Sequence, residues 1–367
     1  MADKAISTPN KKLMKTIFRL LAGLVAFIII VLGLFLLFIQ LNDFNPPTQM
    51  KITVDGMAQK RQVPDELIRL ISWNIGYGGL GKEMDFFYDG GKKVRASEEQ
   101  SQEWMHQISR WIAQNSGVDF LFLQEVDFKA KRTYFKDQSQ QLAPLLPNHE
   151  MIRAVNYKIP FVPVPIYNPM GKVEAGMLTF SAYKSIENIR FAYPQIAGWP
   201  DRMFLLDRCF IKSRFATSLG NELVIFNTHN SAFIDDPQKM QHELQSIRDQ
   251  MLLEHQLGNF VIAGGDWNMN PPDLKKLTYK SGHLFAAAPV HFPEHFFPAD
   301  WQFVYDKSVP SNRQMHEAYR KGITGTTTID FFILSPGITL KNIETIDLNF
   351  EMSDHNPVMI EVNLKNI

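Results

Sequence analysis

Cysteine is nearly absent, 1 in 367 residues. Cys209 therefore has no partner for an intramolecular disulfide. Its setting, Arg208-Cys209-Phe210-Ile211, carries no Cys-His motif, so it reads as a core thiol and not as a nucleophile. Net charge is absent too, with 38 basic against 38 acidic residues. That excludes a global positive field drawing the protein onto nucleic acid and leaves only two local basic clusters, Gly90–Arg95 and Lys129–Arg132. Clusters of that size usually mark a solvated face. The chain has no internal repeat and no low-complexity tract, and its 45% hydrophobic content is enough for a sizeable core.

One long apolar run is present. From Ile17 to Ile39 it is broken only by Arg19, and at about 1.5 Å per residue it crosses a bilayer core of about 30 Å. Lys4, Lys11, Lys12, Lys15 and Arg19 precede or open it and only Asp43 follows closely, so the positive-inside rule puts residues 1–16 in the cytoplasm and everything after the run outside. Phe38-Ile39-Gln40-Leu41-Asn42 offers no small-residue cleavage site. The run reads as an uncleaved, single-pass signal anchor, a pattern that suits a bacterial inner membrane. Residues 40–66, with Pro46-Pro47, read as a spacer, stiffest at Asn42–Gln49, and 67–367 as one large domain.

From Leu67 onward short β-rich apolar runs alternate with amphipathic stretches. Leu67–Ile75, Val118–Glu125, Ala175–Ser181, Leu205–Ile211, Leu223–Asn227, Asn259–Gly264, Thr326–Leu334 and Pro357–Val362 read as strands. Ser97–Asn115 and Pro237–Gln256 read as helices, the second opened by Asp235-Asp236-Pro237. The expected architecture is α/β, two mixed sheets packed on each other with helices outside. Aromatic, Pro-rich loops at Ile159–Pro169, Tyr193–Pro200 and Val290–Trp301 read either as rigid surface connections or as a rim that grips an apolar or ring-bearing substrate or touches lipid.

Short polar motifs end the apolar runs: Ser72-Trp73-Asn74, Leu123-Gln124-Glu125, Asn227-Thr228-His229, Gly265-Asp266-Trp267-Asn268, Thr328-Ile329-Asp330 and Ser353-Asp354-His355-Asn356-Pro357. They set carboxylates, amides and imidazoles where buried strands surface. Hydrolysis of a phosphate ester needs those groups: a metal to neutralise phosphoryl oxygens, a base to position water and donors for developing charge. Mg²⁺ takes hard oxygen ligands and keeps several waters. Glu125 is the leading ligand candidate and Asn74 a helper, although either residue type also closes strands without chemistry. Asp266 and Asn268 form an Asp-x-Asn pair after two glycines that let the backbone bend, with a plain turn as the alternative. Asp330 sits in an apolar strand and needs a partner, for which His355 is chosen. His229 is a second imidazole for the phosphate or leaving group.

Together these motifs resemble the endonuclease/exonuclease/phosphatase superfamily, from about Leu67 to the C-terminus. The resemblance implies a four-layer α/β sandwich and a divalent-metal phosphoesterase using Mg²⁺ or Mn²⁺. It implies Asn74, Glu125 and Asp354 at the metal, Asp266 orienting water, Asn268 and His229 at the phosphate, and Asp330 paired with His355, which serves as base or stabilises the phosphate. Tyr157, Lys158 and Lys172 are candidates for the family's phosphate-contacting Tyr or Arg. Thr179-Phe180-Ser181-Ala182 stands where the family often carries Leu-Ser-Arg. Lipid head-group esters suit the anchor and neutral charge, extracytoplasmic nucleic acid is the alternative substrate, and an inactive tethered binding domain is the non-enzymatic reading. No protein partner is expected.

Overall fold

A computed structural model of the chain describes residues 11–232, 236–275 and 289–365. Lys4 and Asp235, used above, lie outside them. The chain divides into Met1–Asp43 and Phe44–Ile367. In the first unit one helix, Lys11–Leu41, contains the whole Ile17–Ile39 run, and its most apolar 18-residue stretch has a mean hydropathy of 3.2. It is long and apolar enough to cross a membrane.

The second unit is an α/β sandwich. One sheet runs, edge to edge, Gln49–Lys51, Ser185–Ala192, Cys209–Ala216, Glu222–His229, Phe260–Asp266, Asp330–Leu334 and Gln302–Val304. The other runs Ile338–Thr345, Val358–Leu364, Ile68–Asn74, Phe120–Asp127, Gly171–Ser181, Glu150–Val162 and Val54–Gly56. Ile68, Leu70, Phe120 and Phe122 from one sheet and Ile211, Ile225, Ile262 and Phe332 from the other meet in a single dry core. Period-2 alternation fills that core, and the opposite faces are covered by helices. Glu98–Gln114 lays Trp104, Met105, Ile108 and Ile112 on the second sheet, and Pro237–Gln256 lays Leu244, Ile247 and Met251 on the first. Ser97 caps the first helix in a complete capping box, and Asp236 accepts from Gln238 N at the start of the second.

Three readings change. Residues 49–56, taken as spacer, supply an edge strand to each sheet; at three residues each and with exposed side chains they show no alternation to detect. Leu205–Ile211 is not one strand, because a 3₁₀ turn at Asp201–Phe204 delays the strand to Cys209. Thr326–Leu334 breaks at Thr328-Ile329, where Ser311 Oγ takes the N–H groups of Ile329 and Asp330, each at 3.0 Å. Glu150–Val162, the longest strand, escaped the sequence pattern because Arg153, Asn156 and Lys158 interrupt its apolar set.

The aromatic loops divide. Phe292, Phe297 and Trp301 of Val290–Trp301 are buried in the cluster that holds Trp267 and Phe331, so the rings of that loop are core, while Val290 at its start is 49% exposed and lines the cavity described below. Ile166, Tyr167 and Trp199 of the other two are 90%, 79% and 63% exposed. Cys209 is buried, and burial pushes its thiol pKa up.

His149 is a buried imidazole whose Nε2 lies 2.8 Å from the Val118 carbonyl while Nδ1 has no partner. Burial, aided by Lys60, lowers its pKa against the pull of that carbonyl and of Asp119. The unfolded chain therefore binds this proton more readily. Stability is full above the ordinary histidine value of about 6.5 and falls below it by at most about 1.4 kcal/mol per pH unit. Urea melts at pH 8 and pH 5.5 should show a smaller acid loss in His149→Gln, whose amide still reaches Val118.

Candidate active site

Register places the site. The two parallel pairs at the sheet centres end together: Asn74 lies opposite Gln124, and Asp266 opposite both His229 and Asp330. Carboxyl ends of parallel strands leave polar side chains at one edge of the sandwich. The two sheets are bolted there by amides. Gln124 Nε2 donates to Asn227 Oδ1 at 2.8 Å, Asn227 Nδ2 to the Leu178 carbonyl at 2.9 Å, and Asn74 Nδ2 to Asp266 Oδ2 at 2.9 Å.

Gly265 does not bend the chain, as the sequence suggested; it stays in its strand with φ +147°. What it provides is room, since a Cβ there would stand 2.0 Å from the Thr228 carbonyl oxygen. Glu125 sits at a bulge in its strand, where pairing skips from Leu123 to Val126, with φ +53°. A left-handed backbone at a non-glycine residue is strained, and here it turns the carboxylate out of the strand. Asn268, at φ +52°, donates Nδ2 to the Asn230 carbonyl at 2.8 Å while Asp266 Oδ1 accepts from its N–H.

Glu125, His229 and Asp266 offer ligand atoms within 4.8 Å of one another, as do Asp266, Asp330 and His355. His229 Nε2 is 3.5 Å from Asp266 Oδ2 and 3.8 Å from Glu125 Oε1. His355 Nδ1 is 2.8 Å from Asp330 Oδ2, which also accepts from Ser311 Oγ at 2.7 Å. The loop is pinned by Trp73 Nε1 donating to the His355 carbonyl and Ser353 Oγ donating to the Asn74 carbonyl. Burial alone would lower the His355 pKa, but Asp330, Asp354 and Asp266 outweigh it and hold the ring charged. His355 Nε2 lies 3.0 Å from Asn312 Nδ2; a charged ring needs that amide turned to present its oxygen. His229 goes the other way. Burial, then Arg208, His355 and Arg132, hold it neutral. Two imidazoles in opposite charge states are what acid and base roles require.

Carboxyl groups are crowded here. Burial pushes Asp266 up to about 7, with Asp330 adding and His355 opposing. Asp89, which no sequence motif marked, is pushed up to about 7 by burial and by Asp354 and Glu125, and Asp354 itself is raised. Desolvated carboxyl groups gathered like this suit a divalent cation, and the ligand atoms that lie together are those of Glu125, His229 and Asp266; Asp354 belongs to neither cluster. Asn74 turns its amide nitrogen to Glu125 and Asp266 and its oxygen to Gly76 N, so ligation by Oδ1 requires a half-turn of the amide.

Glu125, Tyr157, His229, Asp266, Asn268, Asp354 and His355 line one cavity of about 730 Å³, and Asn74 and Asp330, which do not, bond residues that do. Tyr157 is on its wall but bonds none of the cluster; its hydroxyl is 3.5 Å from the Phe204 carbonyl. Lys158 and Lys172 do not line it. Asn312, Arg132, Arg208 and Arg313 do and were missed. None of them ends an apolar run; Arg132 belongs to the basic cluster Lys129–Arg132 that read as a solvated face, and it is instead buried on this wall by its pairing with Asp127.

The sequence profile described as the Endonuclease/Exonuclease/phosphatase family matches residues 71–355. Comparison with curated proteins finds no match. Among solved structures, an endonuclease/exonuclease/phosphatase from Beutenbergia cavernae DSM 12333 is 14% identical with a TM-score of 0.54, covering 82% of this chain and 72% of that one. A family protein from Leptotrichia buccalis C-1013-b is 14% identical over 81% of this chain and all (100%) of that one, with a TM-score of 0.52. The human Nocturnin catalytic domain with a bound sulfate anion is 16% identical over 85% and 97%, with a TM-score of 0.50. At these identities the likeness is one of fold. The profile covers most of the chain, and the chain belongs to the endonuclease/exonuclease/phosphatase family, whose members generally hydrolyse phosphate esters.

Proposed function

We propose that this protein is a membrane-anchored, Mg²⁺-dependent phosphoesterase with its catalytic unit outside the cytoplasm. The observation that carries the reading is the Glu125–His229–Asp266 cluster with the Asp330–His355 pair against it. Bound there, Mg²⁺ or Mn²⁺ would supply charge neutralisation at the phosphoryl oxygens. The chain's own groups do the rest. Asp266 is the acceptor that orients water, His355, held charged by Asp330, takes the phosphate, neutral His229, on the same Asp266 oxygen, takes the phosphate or the leaving group, and Asn268 is a donor fixed by the Asn230 carbonyl. The helix Lys11–Leu41 and the lysines at its start support an anchor with the N-terminus inside.

The test uses the full chain in detergent micelles with Mg²⁺, Mn²⁺ or EDTA, against duplex DNA, lipid phosphodiesters and inositol phosphates. Metal-dependent turnover of any of these is expected; none on any substrate would favour a binding domain. Glu125→Gln should weaken Mg²⁺ binding about 10- to 100-fold or more, read by calorimetry, because it removes a charged oxygen donor.

A further inference from the structure

Three arginines face the cavity, and they are not equivalent. Arg132 is neutralised, with Nε and Nη2 on Asp127 at 3.0 and 2.9 Å and its guanidinium 3.5 Å from the centre of the Tyr77 ring. Arg313 is occupied with backbone, donating to the carbonyls of Leu80, Gly81, Met84 and Gln314. The Arg208 side chain makes no hydrogen bond and no ion pair among the described residues, and its Nη1 is shut from solvent without an acceptor. Its charge is answered only at longer range, by Glu125, Glu243 and Asp266.

Arg208 is half-buried, and a guanidinium nitrogen shut from water without an acceptor is costly unless something it binds supplies one. Its place says what. Phe210 pairs with Thr228, which brings Arg208 beside Asn230, one step past His229. A planar fork of donors at that point suits a phosphate oxygen pair.

The same cavity also has apolar lining. Ile196, Phe204, Leu205, Leu206, Met240 and Val290 contribute to it, three of them within four residues of Arg208 in the chain, and Leu205 is 39% exposed. A cavity of about 730 Å³ holds far more than a phosphoryl group. A polynucleotide would call for further unpaired cations along its track, and a chain of net charge 0 with one such arginine on this wall does not offer them. An apolar wall beside an anion site suits a phosphate that carries hydrocarbon, and the helix Lys11–Leu41 would hold the protein where such molecules reside.

We infer that Arg208 receives the substrate phosphate and that the adjoining apolar wall takes a hydrocarbon group attached to it, so that the substrate is an amphiphilic phosphate ester, of the kind found in lipids. This rests on the phosphoesterase reading and narrows it.

Product-like ligands test it on the full chain in detergent with Mg²⁺: inorganic phosphate and methyl, butyl and hexyl phosphate, titrated by calorimetry and corrected for partition into protein-free micelles. Affinity should rise with chain length, approaching about fourfold per added methylene where the group is buried. Arg208→Gln should weaken every member, inorganic phosphate included, about 10- to 100-fold at an unchanged melting temperature, and Arg208→Lys should recover part of it. Leu205→Ser should reduce hexyl phosphate binding and leave inorganic phosphate unaffected. A series flat in chain length, Arg208→Gln without effect on phosphate, or tighter binding of a thymidine tetranucleotide than of hexyl phosphate overturns the inference. If metal-dependent hydrolysis persists alongside any of those results, the phosphoesterase reading stands without it. Absence of turnover on every ester instead overturns that underlying reading.

Discussion

His355→Ala is expected to lower turnover of a phosphate ester about 10²- to 10⁴-fold, the range removed with a positioned proton-transfer group. It should also destabilise the protein by about 3–5 kcal/mol, because Asp330 is left in a sealed site as an unpaired carboxylate. Asp330 is fully buried, its Oδ1 already lacks a partner, and Oδ2 keeps only Ser311 once the imidazole is gone. The two losses separate in the double variant. Asp330→Asn with His355→Ala removes the stranded charge while the amide still meets Ser311, so chemical denaturation should recover much of the stability. Turnover should not recover. If the double variant regained activity, the ring would be a structural partner of Asp330 and not a group at the phosphate.

The largest effect on stability alone is expected at Gly265→Ala, about 3–5 kcal/mol. Two penalties combine. The φ of +147° is one that L side chains rarely adopt, and the new methyl would overlap the Thr228 carbonyl oxygen at 2.0 Å. Neither neighbour yields easily, because the parallel register fixes Gly265 against Thr228 and Asp266 against His229. Gly117→Ala is the matching control, with nothing within 4 Å of its Cβ position. Urea unfolding of both should show a large loss in the first and little change in the second. A loss below about 1 kcal/mol for Gly265→Ala would mean that the strands slide apart freely there, against the packing described.

The motif residues could be read from sequence because each closes a run whose apolar character is independent of partners. Phe120-Leu121-Phe122-Leu123 before Glu125 and Phe260–Ala263 before Asp266 are buried on both faces, and the change to polar marks the sheet edge. Arg208 and Asn312 carry no such mark. One follows a 3₁₀ turn and the other opens a two-residue strand, and each reaches the cavity through tertiary packing. Rings misled in the same way. Phe292 and Trp301 look like a lipid-facing rim in one dimension and are buried only because Trp267 and Phe331 come to them from elsewhere. Pairing across the sheets likewise leaves no trace in local pattern, so the turn of the Asn74 amide nitrogen toward Glu125 and Asp266 and the crowding of Asp89 against Asp354 and Glu125 appear only in three dimensions.

The Asn74–Asp266 bond joins side chains from opposite sheets, with the Phe122 and Phe332 rings, 6.2 Å apart, lying two residues from Gln124 and Asp330 on those same strands. The hydrocarbon between the sheets thus acts as a spacer gauge for the reaction: its thickness sets how far Glu125 stands from Asp266. Variation deep in that layer, far from any phosphate, would retune the catalytic geometry by fractions of an ångström. Two chains with identical motifs could therefore hold these side chains at different spacings through their interiors alone.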